Sequence, residues 1–226
     1  MLSAFPHLTD SEFDEACVRL VQKFQQQGCK QDEWLSVELV HQNETKHLRI
    51  TKALSDKQDT PVKAESESDI DEIEEHDQVG HEFVACVRES YSGQEALSPS
   101  TKHQAIVLYD IVLSPTYRVP VLYISISDPQ HRYPPTMATL YEQLVPPDCV
   151  SQTHDVGVMG GITIADHPAT NSPVFFVHPC RTAEVMEASV EKNTITAAEY
   201  LMLWIGALGK CVGLNVPLAL ARYEQR

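Results

Sequence analysis

Cys180 is the residue of this sequence that is best placed to act as a nucleophile. It follows the apolar, β-prone run Phe175-Phe176-Val177, and Pro179 stands directly before it. A thiol at the point where a strand ends and a helix begins is held rigidly and can still be reached, and its thiolate form is the reactive one. We therefore predict that Cys180 accepts an acyl group as a thioester and passes it to an amine.

His178 stands two residues before Cys180, so an extended backbone would point both side chains to the same side of the strand. The imidazole could then polarise or hydrogen-bond the reacting carbonyl. The alternative for His178 is a purely structural hydrogen bond. If Thr182 caps the helix that is predicted to follow, the positive end of that helix would also lie near Cys180 and favour its thiolate form.

The elements around these residues follow from periodicity and from turn residues. Thr9-Asp10-Ser11-Glu12 is a capping box, and apolar residues then recur at helical spacing over 10–27. Strands are predicted over 34–40, 47–52, 81–89, 104–113, 119–127 and 174–177. Helical segments are predicted over 136–144, over 182–192, and through residue 210 after a second capping box at 196–199. A helix, a run of strands and then two helices are typical of an α+β fold.

The strand over 119–127 has two unlike faces. Leu122, Ile124 and Ile126 share one face, which we expect to pack on the core, whereas Tyr123 lies on the other, partly polar face. Pro120 cannot donate a backbone hydrogen bond, so we expect it at an edge or at the start of the strand.

The formal net charge of −15 is unevenly distributed along the 226 residues. Residues 56–77 hold ten acidic residues and two lysines, a net charge of −8, so the other 204 residues carry −7. We predict one domain over 1–226 with a flexible acidic insertion at about 55–79, for which a docking role is the alternative. An acidic chain without a basic stripe argues against nucleic acid or anionic membrane as the main partner and favours proteins.

The six cysteines include no C-x-x-C pair, so no structural metal is expected. Cys17 lies on the apolar stripe of the first helix and is predicted to be a core residue. The sequence begins without a secretory signal, and its longest apolar run, over 201–208, is too short to span a bilayer. We expect a cytoplasmic protein with reduced thiols.

With these residues assembled, the chain resembles the E2-like conjugating enzymes of autophagy. The resemblance rests on His178-Pro179-Cys180, on the Phe-Phe-Val strand before it and on Arg-Thr-Ala-Glu-Val-Met after it, and it covers roughly residues 104–221. One branch of this family attaches a ubiquitin-like modifier to phosphatidylethanolamine, and the other joins two autophagy proteins. Val119-Pro120-Val121-Leu122-Tyr123 and Gly213-Leu214-Asn215-Val216-Pro217-Leu218 resemble the second branch more closely.

The resemblance implies an E2-like fold, in which an antiparallel sheet is flanked by an N-terminal helix and C-terminal helices. It also implies that the E1-like autophagy-related protein seven loads the ubiquitin-like autophagy-related protein twelve onto Cys180. A lysine of the acceptor, autophagy-related protein five, would then attack the thioester, and the acceptor would be recognised near residues 81–125. No metal or small-molecule cofactor is implied, since the E1 consumes the ATP.

The motif departs from that of ordinary ubiquitin-conjugating enzymes, in which His-Pro-Asn provides an asparagine to the oxyanion. Here the cysteine itself follows His-Pro, so that asparagine is missing. We predict that His178 or Tyr123 supplies the hydrogen-bond donor instead.

Three other functions are alternatives to protein conjugation, and each makes a different demand on the sequence. Transfer to a lipid would need a basic, membrane-binding first helix, but that helix opens with Asp10, Glu12, Asp14 and Glu15, which an anionic bilayer repels. A cysteine hydrolase would need a distant histidine as base, for which His81, His154 and His167 are candidates. A non-catalytic adaptor with the same fold would form no covalent adduct.

Overall fold

A six-stranded antiparallel sheet forms the centre of the computed structural model, which describes residues 2–27, 31–54, 104–150, 161–190 and 195–221. The strands are β1 (Ser36–Gln42), β2 (Thr45–Ala53), β3 (Ile106–Leu113), β4 (Pro120–Ser127), β5 (Ile162–Asp166) and β6 (Pro173–Val177). Their order across the sheet is β1-β2-β3-β4-β6-β5, so β6 lies between β4 and β5.

Helices flank this sheet at both ends of the sequence. They are α1 (Asp10–Gln27), the short α2 (Met137–Thr139), α3 (Thr182–Ala188), α4 (Ala197–Trp204) and α5 (Leu218–Ala221). A π-helical turn, Leu140–Leu144, continues α2, and a second one, Ile205–Gly209, continues α4. The predicted α+β class and the sheet flanked by terminal helices are confirmed. No helix in the described ranges is both long enough and apolar enough to cross a membrane.

Strand register places two rows of apolar side chains on the helix-covered face of the sheet. Leu48, Ile111, Leu122 and Val177 are direct cross-strand neighbours on β2, β3, β4 and β6. Ile50, Tyr109, Ile124 and Phe175 form the parallel row beside them. All eight belong to the buried core, so the inward face predicted for Leu122 and Ile124 is confirmed.

α1 closes the other side of this core by packing against α4 and β1. Its buried stripe includes Phe13, Cys17 and Leu20, as its periodicity predicted. Burial raises the pKa of the Cys17 thiol to about 12, so Cys17 is an unreactive core residue.

Both predicted capping boxes are present. At the start of α1 the Glu12 carboxylate accepts the Thr9 amide at 2.9 Å, and the Glu12 amide donates to the Thr9 hydroxyl at 3.2 Å. The Glu12 carboxylate also accepts the Ser3 amide at 2.6 Å. At the start of α4 the Glu199 carboxylate accepts the Thr196 amide at 2.9 Å. Each box satisfies helix-end amides that have no partner within the helix.

The Glu12 interactions predict a loss of stability in acid. Slight burial opposes ionisation, but hydrogen bonds from Thr9 and Ser3 outweigh it and lower the pKa of Glu12 from 4.5 to about 2. The stabilisation is therefore complete above the unfolded-state pKa and disappears as the pH falls from about 4.5 towards 2. We expect Glu12→Gln to lower stability by about 1 kcal/mol at pH 7 and to lose less than the wild type between pH 5 and 3.

Urea denaturation at several pH values measures this difference. Glu15→Gln, an exposed change on the same helix, is the matched control. Parallel pH profiles for wild type and Glu12→Gln would contradict the assignment.

Some of the other predicted strands and turns are confirmed, and one strand was not predicted. The β1–β2 hairpin is confirmed, with its turn at Asn43 and Glu44, where φ is 47° and 65° as in a type I′ turn. Pro120 is the first residue of β4, as expected. β5 was missed, because residues 128–173 read as irregular apart from one helical piece. The strand predicted over 81–89 and the acidic insertion at 55–79 lie outside the described residues.

Candidate active site

β6 carries the polypeptide directly to Cys180. It pairs with β4 on one side and β5 on the other, so the strand that ends at Val177 is held from both edges. The His178 amide continues this pairing by donating to the Gly161 carbonyl at 3.1 Å. A 3₁₀ turn, Pro179–Arg181, then leads into α3. Cys180 lies in this turn and is exposed, which gives the thiol the rigid, reachable position predicted from sequence.

His178 caps the turn that holds Cys180. Its backbone is extended, with φ −70° and ψ 131°, and its Nδ1 accepts the Cys180 amide at 3.2 Å. An Nδ1 that accepts a hydrogen bond places the proton of the neutral ring on Nε2. The Cys180 amide therefore donates to Nδ1 of His178. The Nε2–H of His178 is the ring donor that can still bind a reacting carbonyl.

Two aromatic rings contact the His178 side chain. The Tyr117 ring meets it edge to face with centroids 5.6 Å apart, and the Phe176 ring does the same at 6.0 Å. Tyr117 belongs to the turn between β3 and β4 and is 42% exposed. Sequence reasoning missed Tyr117, whose only signal was its position in the turn before β4.

The predicted cap at Thr182 is wrong. Thr182 is the first residue of α3 and is buried, and the residue at the cap position is Arg181, which makes no side-chain cap hydrogen bond. Arg181 instead contacts Glu184 one turn later, with Nε and Oε2 3.2 Å apart. The side chain that caps the segment around Cys180 is therefore the one before the cysteine, His178.

Burial separates Cys180 from the other described cysteines. Cys17 and Cys149 are buried and Cys211 is half-buried, whereas Cys180 is exposed. Burial, together with the neighbouring Cys149, raises the pKa of Cys211 to about 11. Among the described thiols, Cys180 is the one with the access that acyl transfer needs.

A row of polar and aromatic side chains crosses the sheet face opposite the apolar rows. Arg49, Asp110, Tyr123 and Phe176 are direct cross-strand neighbours on β2, β3, β4 and β6, and we call them the outer row. The Tyr123 and Phe176 rings lie 5.0 Å apart. The partly polar face predicted around Tyr123 therefore carries the outer row, which crosses four strands and ends beside His178.

Asp110 is a buried carboxylate at the centre of this face. Arg49 binds both of its oxygens, through Nε at 2.7 Å and Nη2 at 2.9 Å. Burial opposes the ionisation of Asp110, but hydrogen bonds from Arg49 and His167 outweigh it and lower its pKa. Removing one partner of a buried ion pair typically costs about 3–5 kcal/mol, because the other charge is left uncompensated.

Two buried histidines flank Asp110. His47 Nε2 lies 3.6 Å from Oδ1, and His167 Nε2 lies 3.2 Å from Oδ2, although its N–H is imperfectly aligned with that oxygen. Burial lowers the pKa of His47 against the opposing charge of Asp110, which favours the neutral ring. The sequence signal for this cluster was a lone aspartate in the apolar strand Ile-Val-Leu-Tyr-Asp-Ile-Val-Leu, and sequence reasoning did not use it.

The position of His167 argues against a hydrolase. His167 follows β5 and lies at the opposite end of β6 from Cys180, about 17 Å away along a five-residue strand. It is buried against Asp110 and cannot act as base for Cys180. His81 and His154, the other candidates, lie outside the described residues.

The sequence of this chain is similar to those of known proteins. Residues 12–219 match the family described as autophagocytosis associated protein, active-site domain. A Gibberella zeae protein named ubiquitin-like-conjugating enzyme ATG10 is 30% identical in an alignment of length 235 that covers 96% of this chain and 97% of the relative. A Homo sapiens protein of that name is 32% identical in an alignment of length 120 that covers 50% of this chain and 51% of the relative. An Arabidopsis thaliana protein of that name is 27% identical in an alignment of length 156 that covers 66% of this chain and 67% of the relative.

Proposed function

Because this chain belongs to the autophagocytosis associated protein family and is an E2-like conjugating enzyme of autophagy, we propose that it transfers autophagy-related protein twelve to a lysine of autophagy-related protein five. The E1-like autophagy-related protein seven supplies the modifier. Cys180 carries the modifier between the two steps. The observation that carries this proposal is the exposed Cys180 thiol, which lies in a turn directly after a strand that is paired on both sides.

Each of the two steps exchanges one bond for another. The Cys180 thiolate attacks the carbonyl carbon of the modifier's C-terminal glycine, which is bound to the E1 as a thioester. A new carbon–sulfur bond forms and the E1 thiolate leaves. The acceptor amine then attacks the same carbon, an isopeptide bond forms, the Cys180 thiolate leaves and the amine proton passes to solvent.

Both steps place negative charge on the glycine oxygen, so a hydrogen-bond donor nearby accelerates them. We assign this role to the Nε2–H of His178 or to the Tyr123 hydroxyl. His178 precedes Cys180 by two residues, and its Nδ1 is engaged by the Cys180 amide, which leaves Nε2 to donate. The Tyr123 ring lies 5.0 Å from the ring of its cross-strand neighbour Phe176, which in turn lies 6.0 Å from the His178 ring.

Two further parts of the proposal are the surface that binds the acceptor protein and the compartment in which the enzyme acts. We assign acceptor recognition to the sheet surface near residues 81–125, of which residues 104–125 are described. The reaction joins two proteins and needs no bilayer, so we place the protein in the cytoplasm. The N-terminal helix supports protein rather than lipid as acceptor, because its first turn carries Asp10 and Glu12.

A loading and discharge assay tests the proposal. The full chain is mixed with the E1, ATP and autophagy-related protein twelve, and adducts are resolved on a non-reducing gel. We expect a band that thiol removes, and after addition of autophagy-related protein five we expect a thiol-resistant conjugate. Loading without transfer to that acceptor would refute the acceptor assignment alone.

Two further arms separate the alternatives. If a charged E1 transfers no modifier to the chain, conjugation of this modifier is refuted, and the hydrolase and the adaptor remain. If the loaded chain discharges onto phosphatidylethanolamine in anionic liposomes faster than onto the protein acceptor, the lipid enzyme replaces our proposal. Binding of the unloaded chain to small anionic liposomes would point the same way.

A further inference from the structure

We propose that His167, held by Asp110, is a positioning residue for the transfer reaction. It acts through Tyr123, which it keeps packed on the outer row beside Phe176 and His178. This inference deepens the proposed function and rests on it. His167 does not touch Cys180, and its effect on the reaction is indirect.

A continuous series of ring contacts connects His167 to the residue that caps Cys180. The centroid of the His167 ring lies 5.2 Å from that of Tyr123, in an edge-to-face arrangement. The Tyr123 and Phe176 rings are 5.0 Å apart, and the Phe176 and His178 rings are 6.0 Å apart. His167 is buried and the other three rings are half-buried, so close packing against their neighbours restricts rotation of each side chain.

The Asp110 end of this series is fixed rigidly. Arg49 binds both carboxylate oxygens of Asp110, and the carboxylate lies 3.2 Å from the His167 Nε2. The His167 Nδ1 accepts the Ala169 amide at 3.1 Å. The Asn43 side chain donates to the Ala169 carbonyl at 2.7 Å, which ties the turn after β5 to the β1–β2 hairpin.

This anchoring matters because β6 is attached to the rest of the sheet by a short ladder. β6 pairs with β4 through three residues, Phe175, Phe176 and Val177. The contacts of the turn at residues 167–172 with Asn43 and Asp110 therefore provide an additional attachment for the β5–β6 ribbon, which carries Cys180 at its end. A displacement of about 1 Å in a positioned group can slow a reaction by about 100-fold.

His47, Asp110 and His167 also lie close enough together to be considered as ligands of a cation. Their chemistry argues against it. Arg49 already neutralises the carboxylate, so a divalent ion would leave two uncompensated buried charges. The His167 Nδ1 accepts an amide proton, which places the ring's own proton on Nε2, the atom that faces Asp110.

Matched substitutions of His167 test the inference. Glutamine carries an N–H at the position of Nε2 and can still donate to Asp110, whereas asparagine can replace only Nδ1. We expect His167→Asn to reach the same final extent of loading as the wild type and to discharge about 10-fold to 100-fold more slowly. His167→Gln should stay within about 3-fold of wild type, as should Thr170→Ala, an exposed change in the same turn.

A double-mutant cycle separates positioning from a merely structural role. If His167 acts by positioning the Tyr123 hydroxyl, His167→Asn slows discharge in the wild type and has no further effect in Tyr123→Phe, which keeps the ring and lacks the hydroxyl. Equal slowing in both backgrounds overturns the inference, as does a wild-type rate in Tyr123→Phe. So does a loss of loading that follows the folded fraction in thermal melts. Failure of the wild type to load refutes the proposed function instead.

A spectroscopic measurement reports on Tyr123 without any conjugation partner. Burial raises the pKa of the Tyr123 phenol. NMR titration of the full chain with ring-¹³C tyrosine, assigned with Tyr123→Phe, follows this group directly. We expect His167→Asn to bring the phenol pKa back towards about 10 and His167→Gln to leave it raised. An unchanged value in His167→Asn overturns the inference whether or not the chain conjugates.

Discussion

Cys180→Ala is expected to form no thioester with the modifier and to lower conjugate formation by more than about 10⁴-fold, since the attacking atom is removed. The substitution leaves the fold intact, because Cys180 is exposed in the 3₁₀ turn. Cys180→Ser is expected to load slowly, because a hydroxyl is a poor nucleophile at neutral pH. The adduct should then resist thiol and accumulate, since an oxyester is less reactive towards amines.

The matched control for these variants is Cys211→Ala. Cys211 is half-buried, and its pKa is raised to about 11, so it is mostly protonated at neutral pH. It should load and discharge as the wild type does. A thiol-sensitive adduct that persists in Cys180→Ala would show that another cysteine carries the modifier.

The second large effect is expected at His178, which has two possible roles: it caps the turn that holds Cys180, and it can donate a hydrogen bond to the reacting carbonyl. His178→Ala removes both the Nδ1 that accepts the Cys180 amide and the Nε2–H that remains to donate. We expect discharge to slow by about 100-fold, from loss of a donor or from displacement of the thiol. Loss of a cap alone also lowers the free energy of unfolding by about 1 kcal/mol.

Asparagine and glutamine at position 178 distinguish the two roles. The side-chain oxygen of asparagine can accept the Cys180 amide as Nδ1 does, whereas the amide of glutamine reaches the position of Nε2. Recovery in His178→Asn to within about 10-fold of wild type would identify the cap as the main role. Recovery in His178→Gln would identify the donor. Single-turnover discharge of the preloaded enzyme is the measurement, and a wild-type rate in His178→Ala would exclude both roles.

The parts of this protein that were predicted from sequence are those decided by neighbours along the chain. Both capping boxes connect residues three positions apart, and the turn of the first hairpin is two residues long. The exposed position of Cys180 follows from a strand that ends at a His-Pro step. Such interactions form within one turn, so the types of adjacent residues suffice to predict them.

The missed elements needed a partner from elsewhere in the chain. β5 is a short segment among glycines and prolines, and it is a strand because β6 offers it an edge to pair with. Thr182 has a residue type suited to a cap, but the cap around Cys180 is the His178 ring, which is placed by Tyr117 and Phe176.

The sequence by itself determined the α+β class and, through the resemblance carried by His178-Pro179-Cys180, the family, and it singled out Cys180 as the nucleophile that we propose. Only the tertiary structure decided which side chains surround Cys180. Arg49, Asp110, Tyr123 and Phe176 are far apart in sequence and become neighbours through strand register alone. A register shift of one residue would turn each of them to the opposite face, and a pattern of residue types within one strand does not specify its alignment with the next.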